Sequence, residues 1–250
     1  LMIIIKNDKE IDLMRIAGRI VAETLLLVEK KVKPGITTAE LDRIAEEFIT
    51  KHGAIPSFKG LYGFPASLCI SVNEQVVHGI PGGYVLKEGD IVSVDCGAHI
   101  NGFHGDAART FAVGNISEEA NKLIKVTEES FFKGLEFAKV GNRLTDISHE
   151  IQRYVEASGF SVVRDFVGHG IGRSVHEDPE IPNFGRPGRG PKLVAGMTLA
   201  IEPMVNMGTY RVATLGDDWT VVSADKSLSA HYENTVVILP DGPEILTLIK

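Results

Sequence analysis

Cysteine is scarce in this chain. Cys69 and Cys96 are the only two among 250 residues, too few for a disulfide framework and, on their own, for a structural zinc site. That usage fits a reducing compartment, with both thiols buried in ordinary packing. Long apolar runs are missing too: "LLLV" at 25–28 falls far short of the roughly 20 residues a membrane span requires. No signal-peptide pattern opens the chain, so no membrane contact and a cytoplasmic location are expected. Positive charge is in deficit, with 26 Lys and Arg against 33 Asp and Glu for a net charge of -7. That balance disfavours non-specific nucleic-acid binding, and no sequence-specific binding is expected.

Two familiar motifs are also lacking. In "FVGHGIGRSVHEDP" (166–179), Gly168, Gly170 and Gly172 alternate instead of following G-x-G-x-x-G, and Pro179 and Pro182 deny the helix that a phosphate loop opens. His169 and His176 stand seven apart, so they are not the i, i+4 pair of a zincin helix. What is present is a chain 44% hydrophobic and 24% charged, long enough to bury a full core.

Its pattern is written twice. Asn7 with Glu10 reads as a capping box, followed by Ile11, Met14, Ala17, Val21, Leu25 and Val28 at helical spacing. Thr37 with Glu40 repeats the device before Leu41, Ile44, Ala45, Phe48 and Ile49. A third helix is expected from about Ser117 to Ala138, and a fourth carries Ile147, Ile151, Tyr154 and Val155. Gly35 and Gly53 recur as Gly141 and Gly159, and "LKEGDIVSVD" (86–95) resembles "LVAGMTLAIE" (193–202). "GNIS" at 114–117 is too short to separate independent domains. We therefore expect one domain over 1–250, with related halves of about 8–113 and 117–250.

The repeat aligns Asp95 with Glu202, carboxylates that follow apolar strand patterns. Asp106 lies eleven residues after Asp95, within reach of a hairpin, although "NGFHGD" alone suggests a turn aspartate. Glu233 opens a β-rich run in "SAHYENTVVIL", on the same strand face as His231 and Thr235. Carboxylates are rarely buried unless paired or metal-bound, and four converging acids would repel each other without cations. One histidine with four carboxylates suits Mn, Fe(II) or Co, and less obviously Zn, and bridging carboxylates suggest a pair of ions. Hydrolysis is the chemistry such pairs serve.

Taken together, "VVHGIP", "VDCGA", "HGDAARTF", "GHGIGRSVHEDP", "AIEPM" and "HYENTVV" resemble type I methionine aminopeptidases over nearly the whole chain. The resemblance implies the α/β pita-bread fold, two pseudo-symmetric halves around a curved, mainly antiparallel sheet with helices outside. It implies two divalent ions (Co, Mn, Fe or Zn) held by Asp95, Asp106, His169, Glu202 and Glu233, with Asp106 and Glu233 bridging. His78 and His176 would be catalytic histidines that are not ligands. A hydroxide between the ions would attack the first peptide carbonyl, with Glu202 moving its proton. Phe58, Leu61, Phe64, Cys69 and Trp219 would wall a methionine pocket, where many relatives carry a cysteine at the place of Phe58 and an aromatic at that of Leu61. From spacing alone, Phe58, Leu61 and Phe64 read as ordinary core. The implied substrates are peptides and nascent chains with a small second residue, with ribosome docking as a corollary and a monomer as the working state.

Two rivals remain at this level. Aminopeptidase P and prolidase share "VDCGA", "RTF" and "GHGIG", but usually carry an added N-terminal domain, and "HYENT" with Trp219 fits the methionine branch better. The type II branch has a large insertion in its second half, whereas 26 residues separate His176 from Glu202. The other rival is a metal-free binding protein on the same scaffold, against which all five candidate ligands stand.

Overall fold

In the computed structural model, which describes residues 2–249, α1 spans Asp8–Glu29 and starts with both bonds of the expected capping box. Its stripe from Ile11 to Val28 is buried. Helix α2 (Thr38–Lys51) begins with Thr37 accepting from the Glu40 amide, but no return bond from the Glu40 carboxylate is among the described ones. Thr37 instead sits in an antiparallel bridge with Val85. Helices α3 (Glu118–Leu135) and α4 (Leu144–Ala157) complete the set. Helix α3 stops short of Ala138 because the Phe137 and Ala138 amides close tight turns onto the carbonyls of Gly134 and Leu135.

The halves repeat at the level of hydrogen bonds. Gly35 N–H donates to Leu86 O at 2.8 Å, and Gly141 N–H to Leu193 O at 3.0 Å. The Thr37–Val85 bridge has its counterpart in Arg143–Lys192. Gly35 and Gly141 share φ near +95° and +93°, a left-handed backbone that glycine adopts without a Cβ penalty.

One nine-stranded sheet takes strands from both halves. Its path runs Ile55–Pro56, Ile91–Ile100, Phe103–Ala112, Glu233–Leu239, Thr198–Ile201, Gly168–Gly170 and Glu177–Ile181. Leu68–Val72 joins at the second of these strands, and Gly242–Ile245 at the fourth. Every pairing within it is antiparallel. Alternation along Ile91–Ile100 sends Val92, Val94, Cys96 and Ala98 into the core under α1 and α2, so Asp95 points to the opposite face. A matching core lies between α3, α4 and the second half's strands.

Where the two halves meet, backbone pairing is short. A separate three-stranded sheet ties the halves through Val221 with Val77 and Val222 with Gln75, while within the large sheet, among the described residues, only Glu233 with Ala108 and Asn234 with Ala107 pair across the join. Beyond them the Thr235 hydroxyl replaces the ladder, accepting from Asp106 N–H at 2.9 Å and donating to Asp106 O at 2.8 Å. The cavity at this join is lined by side chains from both halves.

Candidate metal centre

Asp95 and Asp106 reach that space from one hairpin. Asn101 (φ 54°) and Gly102 (φ 82°) form the turn, the left-handed pair that two-residue hairpins favour. Only these two residues turn. Asp106 therefore lies within a strand, opposite Gly97, and is 3% exposed, which overturns the reading of it as a turn aspartate. Asp95 pairs with Ala108, one diagonal step away.

His169 comes from the short strand beside Thr198–Ile201, paired with Ala200. Its glycine neighbours are required by crowding: a Cβ on Gly170 would stand 2.1 Å from Asp178 O, and one on Gly168 2.3 Å from Ala200 O. What these glycines admit is the neighbouring backbone. His169 Nδ1 bonds Gly170 O at 2.9 Å, turning Nε2 toward Asp106 Oδ2 (3.9 Å) and Glu202 Oε1 (3.7 Å). Glu202 follows the Thr198–Ile201 strand, its carbonyl held by Asn183 Nδ2. Glu233 opens its strand and is 2% exposed.

All five candidate ligands thus border one cavity of about 630 Å³. Donor atoms of Asp106, His169 and Glu233 fall within 4.8 Å of one another. Asp95 Oδ1, Asp106 Oδ1 and Glu233 Oε1 are buried without hydrogen-bond partners, and buried polar atoms of this kind need a counterpart. Burial, reinforced by Glu202 and opposed by His231, pushes Asp95 up to about 7. Burial and mutual repulsion hold Asp106 and Glu233 well above the usual carboxylate range, and burial does the same for Glu202. Burial pulls His169 down to about 4, leaving its imidazole neutral. Arg109 offsets the acids only weakly: its guanidinium donates to the Ala108 and Glu233 carbonyls and to Asn234 Oδ1, and its charge lowers Glu233 less than burial and the neighbouring acids raise it. Acidic oxygens with one neutral imidazole are a donor set for hard or borderline divalent cations, and the residues fit such a group.

His78 and His176 lie at the same cavity without joining the carboxylates. His176 packs edge-on against His169 with centroids 4.6 Å apart. His78, held at φ 59°, meets Phe166 and Trp219 edge-on. Burial lowers both imidazoles, His78 to about 4. Phe58, Phe64 and Cys69 form an apolar cluster flanked by Leu61 and Trp219. Phe64 and Trp219 meet edge-on at 5.1 Å. Sequence reasoning missed Tyr62, Phe166 and Met204, which also line the cavity. Tyr62 stacks parallel to His176 at 6.1 Å from an exposed turn, and nothing in local spacing signals that. His231 was legible as a face neighbour of Glu233, but not as a group whose Nε2 lies 3.5 Å from Glu202 Oε2.

A model of metallopeptidase family M24 matches residues 12–240. The chain belongs to metallopeptidase family M24. This M24 peptidase is 80% identical to a methionine aminopeptidase of Clostridium perfringens, with all of both chains covered. It is 59% identical to methionine aminopeptidase 1 of Bacillus subtilis, over 99% of this chain and 100% of the relative. The crystal structure of methionine aminopeptidase from Thermotoga maritima superposes with a TM-score of 0.98 at 49% identity, covering 99% of this chain and all of that one. The M24 peptidase has the pita-bread fold. Family membership makes divalent-metal binding part of its chemistry. Among the described residues, no helix is long and apolar enough to cross a membrane.

Proposed function

We propose that the chain hydrolyses the first peptide bond of peptides and nascent proteins that begin with methionine and continue with a small residue. It acts as one metallopeptidase domain, since a single sheet draws strands from both halves. Asp95, Asp106, His169, Glu202 and Glu233 would hold two divalent ions, with Co, Mn, Fe or Zn as candidates. When bound, such ions lower the pKa of water and polarise a carbonyl. Glu202 accepts and returns the proton of the attacking water. Neutral His78 and His176 offer N–H groups to the amide and to the oxygen that gains charge. The free α-amine of the substrate marks the chain end, which makes the enzyme an exopeptidase. Work on nascent chains in the cytoplasm, with ribosome docking and a monomeric enzyme, belongs to this reading.

The observation that carries it is adjacency. Cys69 in the apolar wall is the cross-strand partner of Asp95 in the acidic cluster, so the pocket for an unbranched thioether adjoins the reacting centre. Names at 80% and 59% identity over the whole chain favour this reading over the proline-directed one. Metal-reconstituted protein should release methionine from Met-Ala-Ser, spare Met-Leu-Ser, and leave Ala-Pro-Ala intact. Equal rates on the two methionine peptides would remove the selectivity claim, and cleavage of Ala-Pro-Ala alone would restore the rival.

A further inference from the structure

We infer that His231 is a positioning residue of the metal centre, holding the Glu202 and Glu233 carboxylates in the orientation that the ions require. The inference rests on the ligand assignment proposed above. His231 does not belong to the large sheet. It ends the Ser229–His231 strand, which pairs with Met204–Asn206. Its backbone is pinned from the first half, because Thr110 Oγ1 accepts from His231 N–H and donates to His231 O, both at 2.9 Å. That anchorage leaves the ring little freedom.

The ring is 2% exposed, and its Nε2 has no hydrogen-bond partner. That atom lies 3.5 Å from Glu202 Oε2 and 3.8 Å from Glu233 Oε2. The two oxygens of Glu202 are consequently shared between two imidazoles: Oε1 faces His169 at 3.7 Å, and Oε2 faces His231. Once bound cations keep both carboxylates ionised, a buried ring nitrogen facing their oxygens is favourable only if it carries the hydrogen, since a lone pair there would repel them. His231 is therefore the Nε2–H tautomer. It offers one donor to Glu202 Oε2 and Glu233 Oε2. Hydrogen bonds to the outer oxygens of ligating carboxylates fix their orientation, and removing such partners typically weakens metal binding by about 10- to 100-fold.

Two variants separate this role from simple packing. His231→Leu keeps the volume and loses the donor, whereas His231→Gln keeps an N–H. Intact protein, freed of metal with a chelator, would be titrated with cobalt(II) by calorimetry and by visible absorption. The Leu variant should bind about 10- to 100-fold more weakly with an altered absorption band, and the Gln variant should approach the unmutated protein in both. Unchanged affinity and band in the Leu variant, or a Gln variant as weak as Leu, would overturn the inference. A measurement on unmutated protein guards against a variant that fails to fold. In zinc-loaded, ¹⁵N-histidine-labelled protein, His231 Nε2 should resonate as a protonated, uncoordinated nitrogen. A metal-bound or lone-pair signal there would overturn the role as directly. If the unmutated protein takes up no cobalt, the ligand assignment falls and this inference with it. If it binds and the variants match it, only the role of His231 falls.

Discussion

Stripping the metal should make the protein less stable as pH rises from 6.5 to about 8, the reverse of what its buried histidines would do at lower pH. The sign follows from folded and unfolded proton affinities. Asp95 is raised from 3.8 to about 7 in the fold, so its contribution is fully present below about pH 4 and is lost as pH climbs through 7. Asp106, Glu202 and Glu233 are raised in the same direction. His78, His169 and His231 are depressed from 6.5 to about 4, so they stabilise the fold above 6.5 and withdraw that support only as pH falls toward 4. Above 6.5 the carboxyls therefore act almost alone. At about 1.36 kcal/mol per proton per pH unit, Asp95 alone loses on the order of 1 kcal/mol across this window, and the other carboxyls add to the loss in the same direction. For a chain of this length each 1 kcal/mol moves Tm by about 2–4 °C. The assay is urea unfolding and thermal melting of chelator-treated and metal-loaded protein at three pH values in that window. Bound cations keep the carboxylates ionised throughout, so the loaded protein should lack the slope. A metal-free protein equally stable across the window, or more stable at its upper end, would refute the electrostatic reading of the cluster.

Asp106→Asn should yield folded, metal-poor protein by elemental analysis, because it removes a charge proposed to lie between two cations. His78→Ala should retain its metal and lose about 10²- to 10⁴-fold in kcat, and full metal in both variants would sink the assignment of Asp106. Thr235→Val leaves the Asp106 N–H and carbonyl without partners, at about 1–3 kcal/mol for each buried group. An unchanged urea midpoint would show that the join between the halves does not depend on this hydroxyl.

Local patterning determined much of this protein. The stripes of α1 and α2, the Asn7 cap and the repeated glycines are set by neighbours within a few residues, so they were legible. The alternation in "DIVSVD" likewise put Asp95 on the face away from the helices, because side chains in a strand have a period of two. Motif resemblance added which acids and histidines to gather, and all five candidate ligands do border one cavity. Tertiary structure alone decided the rest. The two-residue turn at Asn101 and Gly102 does carry a local Asn-Gly signal, which the other turn-formers of "NGFHGD" obscured, but the burial of Asp106 at the join depends on the pairing of its strand with Glu233–Leu239. The stacking of Tyr62 on His176 joins residues 114 apart in the chain, which no spacing rule encodes. The position of His231 has the same cause. Its alternation with Glu233 was visible, but its contact with Glu202 depends on how Ser229–His231 pairs with the strand after Glu202, a long-range pairing that only the folded chain sets.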